Sequence, residues 1–344
     1  MSRTGVVRAL LTAVITLVSV EGAAAAPRYA PVNRRGPRLA VAPALLAGSL
    51  ACSGSLKQPG IEPVLLAPAT TIDSAQNFGW SYEPFLRARG IPFCTSDLPG
   101  NDAFNMDPIQ NRADYLVYAI RYMYKASGRK LAIIGASQGG MVERWPLRFW
   151  PDTRAMVADM VSLDGPNHGS LTANALCVAP CAPAIRQQTY ESHFIRALNS
   201  YQETFAGIDY TDIYSYTDDF VEPNLPGDST VALAGPGTVT NVAIQQICPT
   251  MLAEHLMAAT SNPVAAELAL DAITHAGPAD AARISRAVCA GLPMAMPGID
   301  TITSIKGLTA ATIQVARELA TYPKVSTEPA LPCYVFASCR RSRR

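Results

Sequence analysis

The five residues Gly135-Ala136-Ser137-Gln138-Gly139 set a serine between two glycines in G-x-S-x-G spacing. Composition alone puts such a pentapeptide into about one chain in ten of this length, so the flanks decide what it means. The apolar run Leu131–Ile134 leads directly into it, and a helical pattern starts at Gln138. A serine there sits on a sharp strand-to-helix turn. Glycines on either side, lacking a Cβ, avoid the clashes of that turn. The hydroxyl is lifted clear of the strand at a helix N-terminus, whose dipole favours a developing anion. The chemistry this suits is nucleophilic attack by Ser137 on a carbonyl carbon, with an acyl-serine intermediate. The plain alternative is an ordinary glycine-rich turn.

A neutral serine needs a base, and the chain has four histidines: His168, His193, His255 and His275. On a strand-turn-helix serine scaffold the chain order is serine, acid, histidine. His168, in Asp164-Gly165-Pro166-Asn167-His168-Gly169, and His193, at a helix start, come early. His275 stands at a helix end before Gly277, where it reads as a cap. His255 follows the strand candidate Val242–Ile247 and Cys248, which makes it the expected base. The acid should follow a strand between Ser137 and His255. Asp218 is the better placed, Asp219 is the fallback, and Asp228 beside Gly227 reads as a turn residue. A carboxylate there would hold the imidazole in one tautomer and stabilise its charged form. Donors for an oxyanion are expected from the Gln138 backbone N–H and from Thr70, in Ala67-Pro68-Ala69-Thr70-Thr71, which otherwise is a plain proline-containing turn.

The elements that must position these groups alternate. Val64–Ala67, Ile91–Thr95, Leu131–Ile134, Ala155–Leu163, Thr211–Tyr216 and Val242–Ile247 read as strands. Glu83–Arg89, Gln110–Ala126, Ala265–Thr274 and Asp280–Cys289 read as helices. Alternation of this kind predicts an α/β fold with a mostly parallel sheet covered by helices on both faces. Pro146 should kink the helix that follows the serine. Gly169–Thr189 lacks a steady period and reads as a lid or binding loop.

The 344 residues carry a net charge of +1 and are 49% hydrophobic. That is enough apolar material for one sizeable core, and nothing in the charge pattern points to nucleic acid. Residues 1–26 read as an export signal. Arg3 and Arg8 precede the apolar stretch Ala9–Val20, and Ala23–Ala26 supply small residues for cleavage. Residues 27–48 read as a linker or pro-like arm, 49–339 as the catalytic domain, and 340–344 as a basic tail. Eight cysteines suit an oxidising, extracellular compartment. No Cys/His spacing suggests a metal site.

At this point several stretches together resemble the Candida antarctica lipase B-like family of α/β-hydrolases. They are Pro63-Val64-Leu65-Leu66-Ala67-Pro68-Ala69-Thr70, Ser137-Gln138-Gly139-Gly140, Ile213-Tyr214-Ser215-Tyr216-Thr217-Asp218, Gln187-Gln188-Thr189, and Cys248 with Glu254-His255. The resemblance covers roughly Gly48 to Cys289. It implies the α/β-hydrolase fold, carboxylic ester hydrolysis without a cofactor, and an ester or lipid substrate. A transient contact with a lipid interface and a monomer are expected, and the export signal makes the enzyme a secreted one. It implies Ser137, Asp218 and His255 as the reacting set, with Thr70 and Gln138 at the oxyanion. It implies Gln188, Phe220 and Val221 at the substrate pocket, and disulfides Cys52–Cys94 and Cys248–Cys289. Cys333–Cys339 would be a third and Cys177–Cys181 an addition. Ala136 stands where the family's yeast member has a bulky aromatic, which implies a wider floor to the alcohol side. Two rivals are an acyltransferase using the same groups and a binding protein on an inactive hydrolase scaffold.

Overall fold

The computed structural model of the chain describes residues 28–100 and 104–339; the expected export signal and the basic tail lie outside them. Nine strands are β1 (Leu50–Cys52), β2 (Val64–Ala67), β3 (Phe93–Ser96), β4 (Leu131–Ala136), β5 (Val157–Leu163), β6 (Asp209–Tyr214), β7 (Asn224–Leu225), β8 (Asp228–Ser229) and β9 (Thr238–Ala243). Seven of them form one sheet in the order β1-β3-β2-β4-β5-β6-β9, and β7 pairs with β8 alone. Only β1 runs antiparallel within the large sheet.

Every residue of β2, β3 and β4 is buried, which is why β2 and β4 read as continuous apolar runs rather than alternating ones. Successive side chains still go to opposite faces. Val64, Leu66, Ala132 and Ile134 pack with Phe78, Tyr82, Phe85 and the helix Pro263–Thr274. Leu65, Leu131 and Ile133 pack on the other face with Leu116, Ile120 and Met123 of the helix Ala113–Ser127 and with Trp145 and Trp150. The expected α/β architecture with both faces covered is therefore the observed one.

Several boundaries differ from expectation, for local reasons. Val242–Ile247 is not one strand: β9 ends at Ala243, whose N–H bonds the Gln246 side chain, and Ile244–Ile247 is a helical turn. Asp280–Cys289 is not a helix but two 3₁₀ turns, Ala281–Arg283 and Arg286–Ala290. Between them the Ser285 hydroxyl accepts from Ala287 N–H, a local bond that competes with helix continuation. Gly169–Thr189 is less irregular than expected. It holds helices Leu171–Leu176 and Pro183–Gln187, joined through the Cys177–Cys181 disulfide. The helix after Ser137 is divided into Gln138–Val142 and Arg144–Phe149. Pro146, with no N–H, leaves the Val142 carbonyl without its i+4 donor.

Residues 28–48, expected as a linker or pro-like arm, are folded onto the body. Tyr29 pairs with Phe336, and Ala30, Val32 and Pro37 accept hydrogen bonds from Arg148, Arg154 and Trp150 through their carbonyls. The ordered unit thus begins upstream of Gly48. All four disulfides form: Cys52–Cys94, Cys177–Cys181, Cys248–Cys289 and Cys333–Cys339.

The Cys248–Cys289 bridge closes a separation of 41 residues. On the chain-entropy account a loop of that length stabilises by about 4 kcal/mol. Replacing both cysteines by serine should lower the free energy of unfolding in urea by roughly that amount. A change below about 1 kcal/mol would show that the bridge constrains little of the unfolded chain.

Candidate active site

Ser137 ends β4 and precedes the helix Gln138–Val142. Its backbone sits at φ 50°, ψ −119°, a conformation that costs a non-glycine residue of order 1–3 kcal/mol. The neighbours make that turn feasible. A Cβ on Gly139 would lie 2.0 Å from the Ala67 carbonyl oxygen, and one on Gly135 would lie 2.5 Å from Gly139 and Gly140 backbone atoms. The Ser137 N–H donates to Leu163 O at 2.7 Å, which ties the turn to the end of β5.

His255 opens the helix His255–Thr260. Its Nε2 lies 2.9 Å from Ser137 Oγ and its Nδ1 lies 2.8 Å from Asp218 Oδ2. The other Asp218 oxygen accepts the Phe220 and Val221 amides, each at 2.7 Å. The Asp218 side chain is fully buried and that of His255 is 14% exposed. Asp219 is exposed and accepts the His255 backbone N–H at 3.2 Å instead of touching the ring. His168 pairs with Glu203 and Thr230 O. His193 takes Glu328 on its backbone N–H, and His275 lies against Asp271. None of the three approaches Ser137.

Residues to which the sequence analysis assigned no role sew the Asp218 and His255 loops together. Thr217 Oγ1 donates to Ala253 O and accepts from Ala253 N. Gln245 accepts from Tyr216 N and donates to Ser215 Oγ and Met251 O. Glu254 caps the helix by accepting from the Leu256 and Met257 amides. Of these, Glu254 carried a sequence signal, an acidic residue just before a helical run. Thr217 and Gln245 carried none, because their partners lie across a loop.

Thr70 lies across from the serine. The turn that holds it is pinned by Asn77, which accepts from Ala69 N, and by Asn105, which donates to Ala69 O and Ile72 O. Thr70 Oγ1 accepts from Gln138 Nε2 and Gln188 Nε2, each at 3.1 Å. Two donors occupy both lone pairs of a hydroxyl, so its hydrogen is left to point at a third acceptor. The Gln138 N–H is the first of its helix and has no intrahelical partner. Gln188 is fully buried beside Thr70. Phe220 stands with its ring centre 5.4 Å from that of His255. Val221 is buried against Tyr214, Val231 and Ala243, and Ala136 against the core of one sheet face.

Burial opposes protonation of His255, but the charge and hydrogen bond of Asp218 outweigh it and hold the imidazole above its ordinary 6.5. The ring is thus a stronger base than a free histidine, aimed at the Ser137 proton. A serine, a raised histidine and a buried carboxylate in sequence at 2.9 and 2.8 Å can do general-base-assisted nucleophilic chemistry.

No family model matches the chain. Lipase B from Pseudozyma antarctica is 31% identical over 224 residues, which span 63% of this chain and 64% of that protein, less than two thirds of its length. The crystal structure of Aspergillus fumigatus lipase B superposes with a TM-score of 0.78 at 28% identity, covering 92% of this chain and 76% of that one. Sheet, serine turn and likeness together define the chain as an α/β-hydrolase. Within that class it is similar to these two lipases B, in line with the resemblance in sequence.

Only neutral His255 can take a proton, so Ser137 should react with a fluorophosphonate faster as pH rises, with a midpoint above 6.5. Asp218→Asn removes the charge that raises the ring, so the midpoint should fall. The plateau rate should drop by about three to four orders of magnitude. An unchanged midpoint in Asp218→Asn would remove Asp218 as the partner of the ring.

Proposed function

We propose that the protein is a secreted carboxylic ester hydrolase, a lipase or esterase, acting as a monomer without a cofactor. The observation that carries this reading is the pair of contacts His255 Nε2 to Ser137 Oγ and His255 Nδ1 to Asp218 Oδ2. In the first half-reaction Ser137 Oγ bonds to the ester carbonyl carbon while its proton passes to His255. The carbonyl electron pair moves to oxygen, where the Gln138 N–H and the Thr70 hydroxyl receive it. Asp218 stabilises the imidazolium. Collapse breaks the bond to the alkoxy oxygen, which leaves as an alcohol with the proton from His255. Water then attacks the acyl-serine by the same path, releasing a carboxylic acid and restoring Ser137.

Exposed apolar residues support an ester of low polarity presented at a lipid surface. Leu252 precedes the His255 helix, and Leu171, Leu176 and Val178 stand exposed on the segment pinned by Cys177–Cys181. That segment packs with Phe220 and with Leu319 and Tyr322 of the far end of the helix Thr301–Thr321 and the residue after it. The helix itself exposes Ile302, Ile305 and Ile313. Four disulfides support an oxidising, extracellular setting. Among the described residues no helix is long and apolar enough to cross a membrane.

Hydrolysis of p-nitrophenyl esters from acetate to palmitate tests the reading. Ser137→Ala should lose several orders of magnitude in kcat, since one member of a set that works as a unit removes most of its effect. Thr70→Val keeps the shape but not the donor, and should lower kcat about 10²- to 10³-fold with little change in KM. Wild-type protein that cleaves no ester, even with an alcohol acceptor supplied, would sink the hydrolase and acyltransferase readings together.

A further inference from the structure

The buried carboxyl of Asp164 has no part in the chemistry above, yet it lies against the groups that do. Oxygen or nitrogen atoms of Asp164, Asp218 and His255 fall within 4.8 Å of one another. Asp164 follows β5, just as Asp218 follows β6. Its backbone is held at φ 51°, a left-handed conformation uncommon outside glycine, and its N–H donates to Ile213 O at 2.8 Å. The side chain is completely buried. One oxygen accepts at long range from Ser215 N (3.3 Å) and Asn224 Nδ2 (3.5 Å). The other has no donor to accept from.

The imbalance between the two carboxyls decides where a proton goes. Asp218 receives two backbone amides at 2.7 Å and the imidazole at 2.8 Å, all of which stabilise its charge. Asp164 receives only the two long bonds and sits within hydrogen-bonding reach of Asp218. Two carboxylates in contact and out of water repel strongly, so one holds a proton. The better-solvated anion is Asp218. A proton on Asp164 converts its orphaned oxygen into a donor and gives that donor an acceptor.

We infer that Asp164 is a positioning residue that remains protonated and donates a hydrogen bond to Asp218, fixing that carboxylate against His255. This rests on the reading of Ser137, His255 and Asp218 as the reacting set. Burial first, and the adjacent Asp218 second, hold the Asp164 carboxyl well above the ordinary carboxylate range. The other groups that face it are the Glu254 carboxyl, which reinforces this, the Ser215 amide, which opposes it, and the His255 ring, which lies in the same cluster. Loss of the proton at high pH puts a second negative charge beside Asp218 and disrupts the alignment. A carboxyl raised in the folded state makes the protein less stable as pH rises from the unfolded toward the folded value.

The test pairs a spectroscopic readout with a kinetic one. An infrared difference spectrum of wild type minus Asp164→Asn at pH 7 should contain a neutral-carboxyl C=O band that disappears only well above the usual carboxylate range. Absence of that band overturns the inference whether or not the protein cleaves esters. In kinetics with tributyrin by pH-stat, Asp164→Ala should lower kcat about ten- to a hundredfold with KM little changed. Asp164→Asn, which can still donate to Asp218, should recover at least about tenfold of that loss and flatten the alkaline fall seen in wild type. Failure of asparagine to rescue, with both variants folded by near-ultraviolet circular dichroism, would overturn the donor role. If wild type shows the band but no hydrolysis, the fault lies with the ester reading and not with the proton on Asp164.

Discussion

The conformation of one residue, Ser137 at φ 50°, ψ −119°, is the constraint on which the rest of the site depends. A side chain held there would relax into an ordinary turn were the surroundings compliant. They are not. β4 lies inside the sheet between β2 and β5, with no exposed residue along its length. The Ser137 N–H is bound to β5. The first turn of the following helix presses so closely on Ala67 of β2 that only glycine fits at 139. Parallel pairing on both sides brings the C-terminal ends of β2, β4, β5 and β6 to one edge. Thr70, Ser137, Asp164 and Asp218 each follow one of those ends.

Beneath the turn lies a second, polar layer whose cost has to be met by the same packing. Glu143 and Arg144 join the two helical pieces after the serine and are buried. Arg144 donates to Asn167 Oδ1 and to Asn199 Oδ1, and Asn167 donates to Asp212. Burial pushes Asp212 up to about 8 and Glu143 well above its usual value, Glu143 further because Asp212 lies near. Neither Glu143 oxygen has a hydrogen-bond donor. An ionised carboxylate in that position would be costly, so the neutral form is the one the fold accommodates.

How much of this was legible in the sequence follows from how local each feature is. The serine turn was legible because glycine, strand and helix signals fall within ten residues. The histidine and aspartate that meet at Ser137, the proposed base and acid, were legible from chain order once the strands were placed, and the likeness to lipase B-like sequences narrowed Asp218 against Asp219. The buried pair Glu143 and Arg144 was not, because a charged dipeptide in a helical run ordinarily faces solvent. The helix Thr301–Thr321 was not, because threonine and isoleucine weaken a helical pattern. Its Gly307, a poor helix former, is required by contact: a Cβ there would lie 2.1 Å from the Trp80 ring. Packing against a distant tryptophan outweighs local propensity at that position.

Asp164 shows the same limit at the site itself. In the sequence it is the aspartate of an Asp-Gly-Pro segment, the composition of a turn. Its neighbours 163 and 165 say nothing of Asp218, which is 54 positions away. Parallel pairing of β5 with β6, with Leu163 level with Ile213, is what sets the two carboxyls side by side. A carboxyl made costly by that register is tolerated where it can lend a hydrogen bond to an anion that must stay charged. The parallel pairing that sets Ser137 at one strand end therefore also brings the two carboxyls together, and the hydrogen bonds each receives determine which keeps its proton.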